Sequence, residues 1–123
     1  MDVWIEPGIA VDPRRNRLAV YGSSGGQLFR DGAGTPGRLW EEGVALGAAQ
    51  SAVFNPTSDY LAVAEPFGDV HIWNISGLRP RVTRTLHGHT NSVVSMAFSP
   101  SGDHLATASY DATVRLWNVG DLA

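Results

Sequence analysis

Length, composition and charge limit the classes of protein to which this chain can belong. It has 123 residues, 43% of them hydrophobic and 17% charged, which suits a single globular domain. The net charge of −3 argues against general nucleic-acid binding. All nine basic residues are Arg, so a lysine Schiff base and a P-loop are excluded, and the absence of Cys excludes disulfides, thiol nucleophiles and thiolate metal sites.

The N-terminal sequence MDVWIEPG has no basic region followed by an apolar run, and no long apolar segment occurs in the chain. We therefore expect a soluble protein that contacts no membrane, with the cytoplasm as its default location.

Short apolar or alternating segments predict strands throughout the first third of the chain. Val3–Ile5 is a short strand-like segment, and further strands are predicted at Ile9–Val11, Arg17–Tyr21 and Gly26–Phe29. The Gly-rich run from 31 to 37 predicts a loop before an outer strand at Arg38–Trp40.

The remainder of the chain predicts two further sets of strands. Those of the middle set are Ala49–Phe54, Tyr60–Glu65, Val70–Asn74 and, after a loop, Arg81–Leu86. Those of the last set are Ser92–Phe98, His104–Ser109 and Thr113–Asn118. A fourth strand of the last set should begin at Ala123, where the sequence stops.

These sets are repeats of one unit. Pro56 and Trp73 recur as Pro100 and Trp117, an offset of 44 residues in both cases, and a weaker copy places Pro13 43 residues before Pro56. The whole chain of 123 residues is thus predicted as one segment of three repeats, at roughly 7–43, 44–86 and 87–123.

The last repeat carries landmarks of a known family. Gly88-His89 stands 28 positions before Trp117-Asn118, and three short strands lie between. This stretch resembles a WD40 repeat, which forms one blade of a β-propeller. The resemblance implies an all-β fold, a partial β-propeller of three four-stranded blades, the last of which lacks its outer strand.

The same resemblance implies a buried polar network in the third blade. In it the Trp117 indole donates to the Thr107 hydroxyl, Thr107 bonds to His89, and Asp111 holds the far side of the imidazole. Ser109 could take the role of Thr107. The second copy has Ala45, Val63 and Phe67 at the positions of His89, Thr107 and Asp111 and keeps only Trp73, so we expect apolar packing there.

Several sequence patterns could indicate chemical sites, but each has a simpler structural interpretation. His87 and His89 could bind a metal with Asp111 or His104, but a structural core histidine and a solvated neighbour are the simpler interpretation. Gly32, Gly34 and Gly37 match a dinucleotide fingerprint, yet no βαβ pattern surrounds them. No hydrolase elbow is present. We therefore predict no catalytic residues, no metal and no cofactor.

The expected function is a non-catalytic scaffold that binds other proteins, as the resemblance implies. Phe67 and Tyr110 fall at or beside equivalent turns and should emerge on one rim, where rigid exposed aromatics anchor interfaces. The alternative is that each simply covers its neighbour's loop, since single exposed apolar groups are ordinary. Arg79 and Arg81 are further candidate contacts, on an edge that solvation alone would also explain, and Arg14, Arg15 and Arg17 form a similar group on the first hairpin.

Three blades can form only an arc, because a propeller closes with about four to eight. We therefore expect a homo-oligomer or further blades supplied from elsewhere. In a dimer, Val3–Ile5 of one chain would complete the third blade of the other. The alternative function is that the chain is a C-terminal or internal fragment of a longer regulatory protein whose activity lies elsewhere.

Overall fold

A computed structural model describes residues 7–14, 17–22, 25–30, 44–77 and 79–121. All of its regular elements are strands, and none of its described residues forms a helix that could span a membrane. The strands are β1 Gly8–Val11, β2 Arg17–Tyr21, β3 Gly26–Arg30, β4 Val44–Gly47, β5 Ser51–Phe54, β6 Tyr60–Ala64, β7 Val70–Asn74, β8 Arg81–Leu86, β9 Val93–Phe98, β10 His104–Ser109 and β11 Val114–Asn118.

The strands form three antiparallel sheets in chain order. The first sheet is β1 to β4, the second is β5 to β8, and the third is β9 to β11. Each sheet is a simple meander, because every strand pairs with its neighbours in sequence. This arrangement confirms the predicted fold class, an all-β partial propeller whose third sheet has three described strands.

The fourth strand of the first sheet lies later in the chain than the sequence pattern predicted. The predicted strands Arg38–Trp40 and Val3–Ile5 lie outside the described residues. In the structure the fourth strand is β4, Val44–Gly47, which pairs with β3 and places Leu46 in the core. Residues 44–47, which the repeat comparison assigned to the second copy, therefore complete the first sheet.

Alternation along the strands gives each sheet two faces, and two hydrophobic cores lie between consecutive sheets. One core joins the first sheet to the second through Ala19, Leu28, Phe54 and Leu61, with other members. The other joins the second sheet to the third and includes Ile72 and Leu105. Strand β5 contacts both β1 and β9, so the first strands of the three sheets are neighbours and the sheets follow one another in chain order.

Candidate functional site

A chain of hydrogen bonds crosses the third sheet and connects the four residues of the predicted network. The Trp117 indole Nε1–H donates to Thr107 Oγ1 over 2.9 Å. His89 Nε2 lies 2.7 Å from Thr107 Oγ1, and His89 Nδ1 lies 2.9 Å from Asp111 Oδ2. His89 and Thr107 are buried, whereas Asp111 is at the solvent boundary.

Strand register brings these groups together. Trp117 on β11 lies opposite Leu105 on β10, and Thr107 is two residues along β10 on the same face. His89 comes from the loop between β8 and β9, and Asp111 comes from the turn between β10 and β11. The network therefore attaches a connecting loop to the strands of the sheet beside it.

The direction of the hydrogen bonds follows from the donors and acceptors. The Asp111 carboxylate can only accept, so His89 Nδ1 carries the hydrogen, and in a neutral imidazole Nε2 is then an acceptor. The Thr107 hydroxyl donates to this nitrogen while its oxygen accepts from Trp117. Every member of the network thereby has a partner, which is the condition under which a buried polar network is stabilising.

Asp111 organises its own turn as well. The Thr113 hydroxyl donates to this carboxylate, and this hydrogen bond holds the pKa of Asp111 well below its ordinary value. Hydrogen bonds from His89 and from the Thr90 amide lower the same pKa further. Partial burial opposes this shift. The result is a carboxylate that stays ionised and holds loop and turn together.

Ser109 has a role different from that of Thr107. Its hydroxyl donates to the Asn91 carbonyl over 3.0 Å and accepts from the Asp111 amide. The Tyr110 amide in turn donates to the Ser92 carbonyl over 2.9 Å. These bonds fasten the turn that carries Tyr110 to the loop at 87–92.

The turn that carries Phe67 is fastened to the same loop. The Ser92 hydroxyl donates to the Pro66 carbonyl, and Gly68 approaches so closely that a Cβ there would lie 2.4 Å from the His89 carbonyl oxygen. Gly68 also has a φ of +115°, which favours glycine. Phe67 therefore sits on a turn that has little freedom to move.

Phe67 and Tyr110 lie on one edge of the molecule, since both turns are bonded to the loop between them. Phe67 is 74% exposed and Tyr110 is 68% exposed. We call this surface the aromatic rim: the turns at 65–69 and 109–112 and the loop at 87–92. It combines large apolar groups with hydrogen-bonded backbone, an arrangement suited to binding another molecule.

Arg79 and Arg81 lie at the other end of the second sheet. Arg81 is opposite Asn74 at the far end of β7, whereas Val70, beside the Phe67 turn, is opposite Leu86. Both Arg side chains are exposed. The candidate contact residues therefore divide between two edges and do not form one surface.

Three of the four histidines, His71, His87 and His89, have hydrogen-bonded rings. Both ring nitrogens of His89 are bonded within the network, and His87 contacts Asp69 at 3.0 Å. His71 lies 2.6 Å from a Glu65 oxygen and is half-buried. Within the described parts of the chain, no three His, Asp or Glu side chains converge as a metal site would require.

The second sheet shows what the missing network residues change. Val63 and Trp73 occupy the cross-strand positions of Thr107 and Trp117. The Trp73 indole Nε1 is buried, and no acceptor for it occurs among the described residues. Of the residues expected to pack there, Val63 is buried in the core whereas Phe67 is 74% exposed, so the described part of this sheet has no equivalent network and leaves the Trp73 donor without an acceptor.

Sequence reasoning missed a second buried network, which joins the first two sheets. The Arg17 guanidinium donates to Asp12 Oδ2 over 2.7 Å, to the Ile75 carbonyl over 2.6 Å and to the Ser58 carbonyl, while the Ser58 hydroxyl donates to Asp12. Arg17, grouped by sequence with solvated neighbours, is buried. Its position two residues before buried Ala19, on the same strand face, was the available signal.

Residues 80–118 match the model of the WD domain, G-beta repeat, which covers β8 to β11. No curated protein matches the chain.

Among solved structures, the chain is similar to the β-propeller domain of Cps50 (Swd1) from Myceliophteria thermophila. The two are 31% identical with a TM-score of 0.55, and the match covers 61% of this chain and 22% of that one. This chain therefore spans less than a quarter of that domain. Residues 80–118 therefore carry a WD40 repeat, and the three successive antiparallel sheets and the likeness to a propeller domain support a WD40-repeat β-propeller architecture for the described chain.

Proposed function

We propose that the chain is a non-catalytic WD40-repeat scaffold that binds another protein through the aromatic rim. The observation that carries this proposal is the exposure of Phe67 and Tyr110 on adjacent turns that are hydrogen-bonded to a common loop. Large aromatic side chains on rigid backbone lose little conformational entropy on binding, and each can bury a large apolar area.

Affinity capture with mass spectrometry tests the proposal when a rim variant is compared with the original chain. Proteins retained by the original chain should be lost with the double variant Phe67→Ser, Tyr110→Ser. The matched control is Arg79→Ser, Arg81→Ser, which alters two exposed residues at the opposite edge and should retain the partner. A folded rim variant that retains every partner would contradict the proposed rim.

A second candidate is that the chain is part of a longer regulatory protein whose activity lies elsewhere. The observation that favours it is the 22% coverage of the Cps50 (Swd1) domain. Immunodetection of the native protein distinguishes the two, because a single band at the 13.1 kDa of this chain would contradict the longer protein.

A further inference from the structure

The outward face of the third sheet, which we call the trailing face, is apolar and exposed. Two cross-strand pairs form its centre, Ala106 with Leu116 and Ala108 with Val114. Leu116 is 70% exposed and Val114 is 74% exposed. A contiguous apolar surface of this kind on a sheet is typical of an interaction site.

The same face of the second sheet shows what covers such a surface. The equivalent pairs are Ala62 with Ile72 and Ala64 with Val70, and all four residues are fully buried. They pack in one cluster with Leu105 and with other residues of the third sheet. Within one chain, therefore, a trailing face is covered by the next sheet.

The face that covers the trailing face of the preceding sheet also has a recurrent cross-strand pair. We call this face the leading face. In the third sheet the pair is Leu105 with Trp117, which packs on the second sheet. In the second sheet it is Leu61 with Trp73, which packs on Ala19 and Leu28 of the first sheet. Each internal interface thus joins a leucine–aromatic pair of the later sheet to an alanine–aliphatic pair of the earlier one.

The first sheet carries the same leading pair, and no described sheet packs on it. Leu18 lies opposite Phe29, and both are only partly buried. On the same face, Ile9 is 67% exposed and Val11 is 69% exposed, although both are large aliphatic residues. The described residues therefore leave two faces open, and these are the two halves of an interface that the chain already forms twice.

We propose that the trailing face of the third sheet binds the leading face of the first sheet in a second copy of this chain. In this contact Leu18 and Phe29 of one copy pack on Ala106 and Ala108 of the other. None of the residues named on either face is charged. The chain is acidic overall, but its like charges therefore do not oppose contact between these two faces. Two copies supply six sheets, within the range of about four to eight at which propellers close.

Solution mass and single charged substitutions test the contact. The 123-residue chain should elute with twice its mass of 13.1 kDa in size-exclusion chromatography with light scattering. Leu116→Asp on the trailing face and Ile9→Asp on the leading face should each give monomers, because each buries a carboxylate in an apolar contact. Both positions are exposed within one copy, so circular dichroism should show an unchanged fold.

A mixture of the two variants distinguishes head-to-tail packing from a symmetric contact. The Ile9→Asp chain keeps an intact trailing face and the Leu116→Asp chain keeps an intact leading face, so the mixture should form heterodimers through one remaining interface. If two trailing faces instead paired with each other, Ile9→Asp would have no effect and mixing would restore nothing. That result would overturn the proposal.

The matched control is Phe67→Asp, which introduces the same charge at an exposed aromatic on the rim, away from both faces. This variant should leave the dimer intact, so the test of self-association is independent of the test of partner binding through the aromatic rim. A ladder of larger masses, abolished by the same two face variants, would support the contact without ring closure. A monomer at every concentration, with a cooperative thermal transition, would overturn the proposal.

Discussion

His89 joins a connecting loop to the third sheet, and both of its ring nitrogens are used in doing so. The imidazole accepts from Thr107 and donates to Asp111, at 2.7 and 2.9 Å, and it is buried. Removing it leaves the Thr107 hydroxyl without its acceptor and Asp111 without one of its donors. A buried polar group deprived of its partner costs more than the hydrogen bond itself contributes.

We therefore expect His89→Ala to lower the free energy of unfolding by about 1–3 kcal/mol. His87→Ala is the control, because His87 is exposed and has a single carboxylate partner, and it should cost less than about 1 kcal/mol. Chemical denaturation of both variants measures the difference. Equal losses would contradict the structural role assigned to His89.

The two tryptophans at equivalent positions offer a matched pair. The Trp117 indole N–H has an acceptor in Thr107, whereas the Trp73 indole N–H is buried without one among the described residues. Replacement by Phe removes both donors, but only at 117 does it break a hydrogen bond. We expect Trp117→Phe to cost about 1 kcal/mol more than Trp73→Phe in unfolding free energy. A larger loss at 73 would show that its indole has a partner outside the described residues.

Asp111 makes the third sheet sensitive to acid. Its pKa is held below the ordinary value of 3.8 in the folded chain, chiefly by the Thr113 hydroxyl. The unfolded chain therefore binds this proton first, and stability that is fully present above 3.8 is lost as the pH falls toward the folded-state pKa. Urea unfolding should show that Asp111→Asn differs most from the original chain near neutral pH and that the difference narrows in acid. A constant difference would contradict the assignment.

At the scale of elements, the contact between the first and second sheets depends on a polar network as well as on apolar packing. Arg17 begins β2 and reaches two backbone carbonyls of the second sheet, those of Ser58 and Ile75. Ser58 itself is fully buried with a φ of +63°, where its repeat equivalent is Gly102 at +81°. The serine thus accepts an uncommon backbone conformation in a turn where its hydroxyl reaches Asp12.

Arg17→Met should accordingly lower the unfolding free energy by about 3 kcal/mol, because it removes the cation of a buried ion pair with Asp12 and the donor to two backbone carbonyls. Arg14→Met is the control. The Arg14 side chain is exposed and only its backbone amide donates to Asp12, so this change should be nearly neutral. If the two variants unfolded alike, Arg17 would not be the group that stabilises this contact.

At the scale of the whole molecule, stability should depend on protein concentration. If a second copy covers the open faces, association favours the folded state by mass action. We expect the melting temperature of the original chain to rise with concentration and that of Leu116→Asp to stay constant. A melting temperature independent of concentration in both would show that the faces stay uncovered.

The sequence by itself indicated the repeat and every described strand except β4, and its resemblance to a WD40 repeat implied the residues of the polar network. Alternation with period two marks a strand wherever one face is buried, and all ten strands predicted within the described residues agree with the structure to within two residues. The 44-residue offset aligned Val63 and Trp73 with Thr107 and Trp117, which the strand registers place in equivalent pairs. These features are local or repeated, so they can be read from neighbouring residues.

Only the tertiary structure decided which sheet each residue meets. Arg17 and Arg14 are three residues apart in similar sequence, yet one is buried against the second sheet and the other is exposed. Val44–Gly47 pairs with β3 although the repeat alignment assigned it to the following copy. Leu116 is exposed and Ile72 is buried, although they occupy the same place in the repeat. Burial depends on what packs against a face, and a repeat pattern is the same whether or not a neighbour is present.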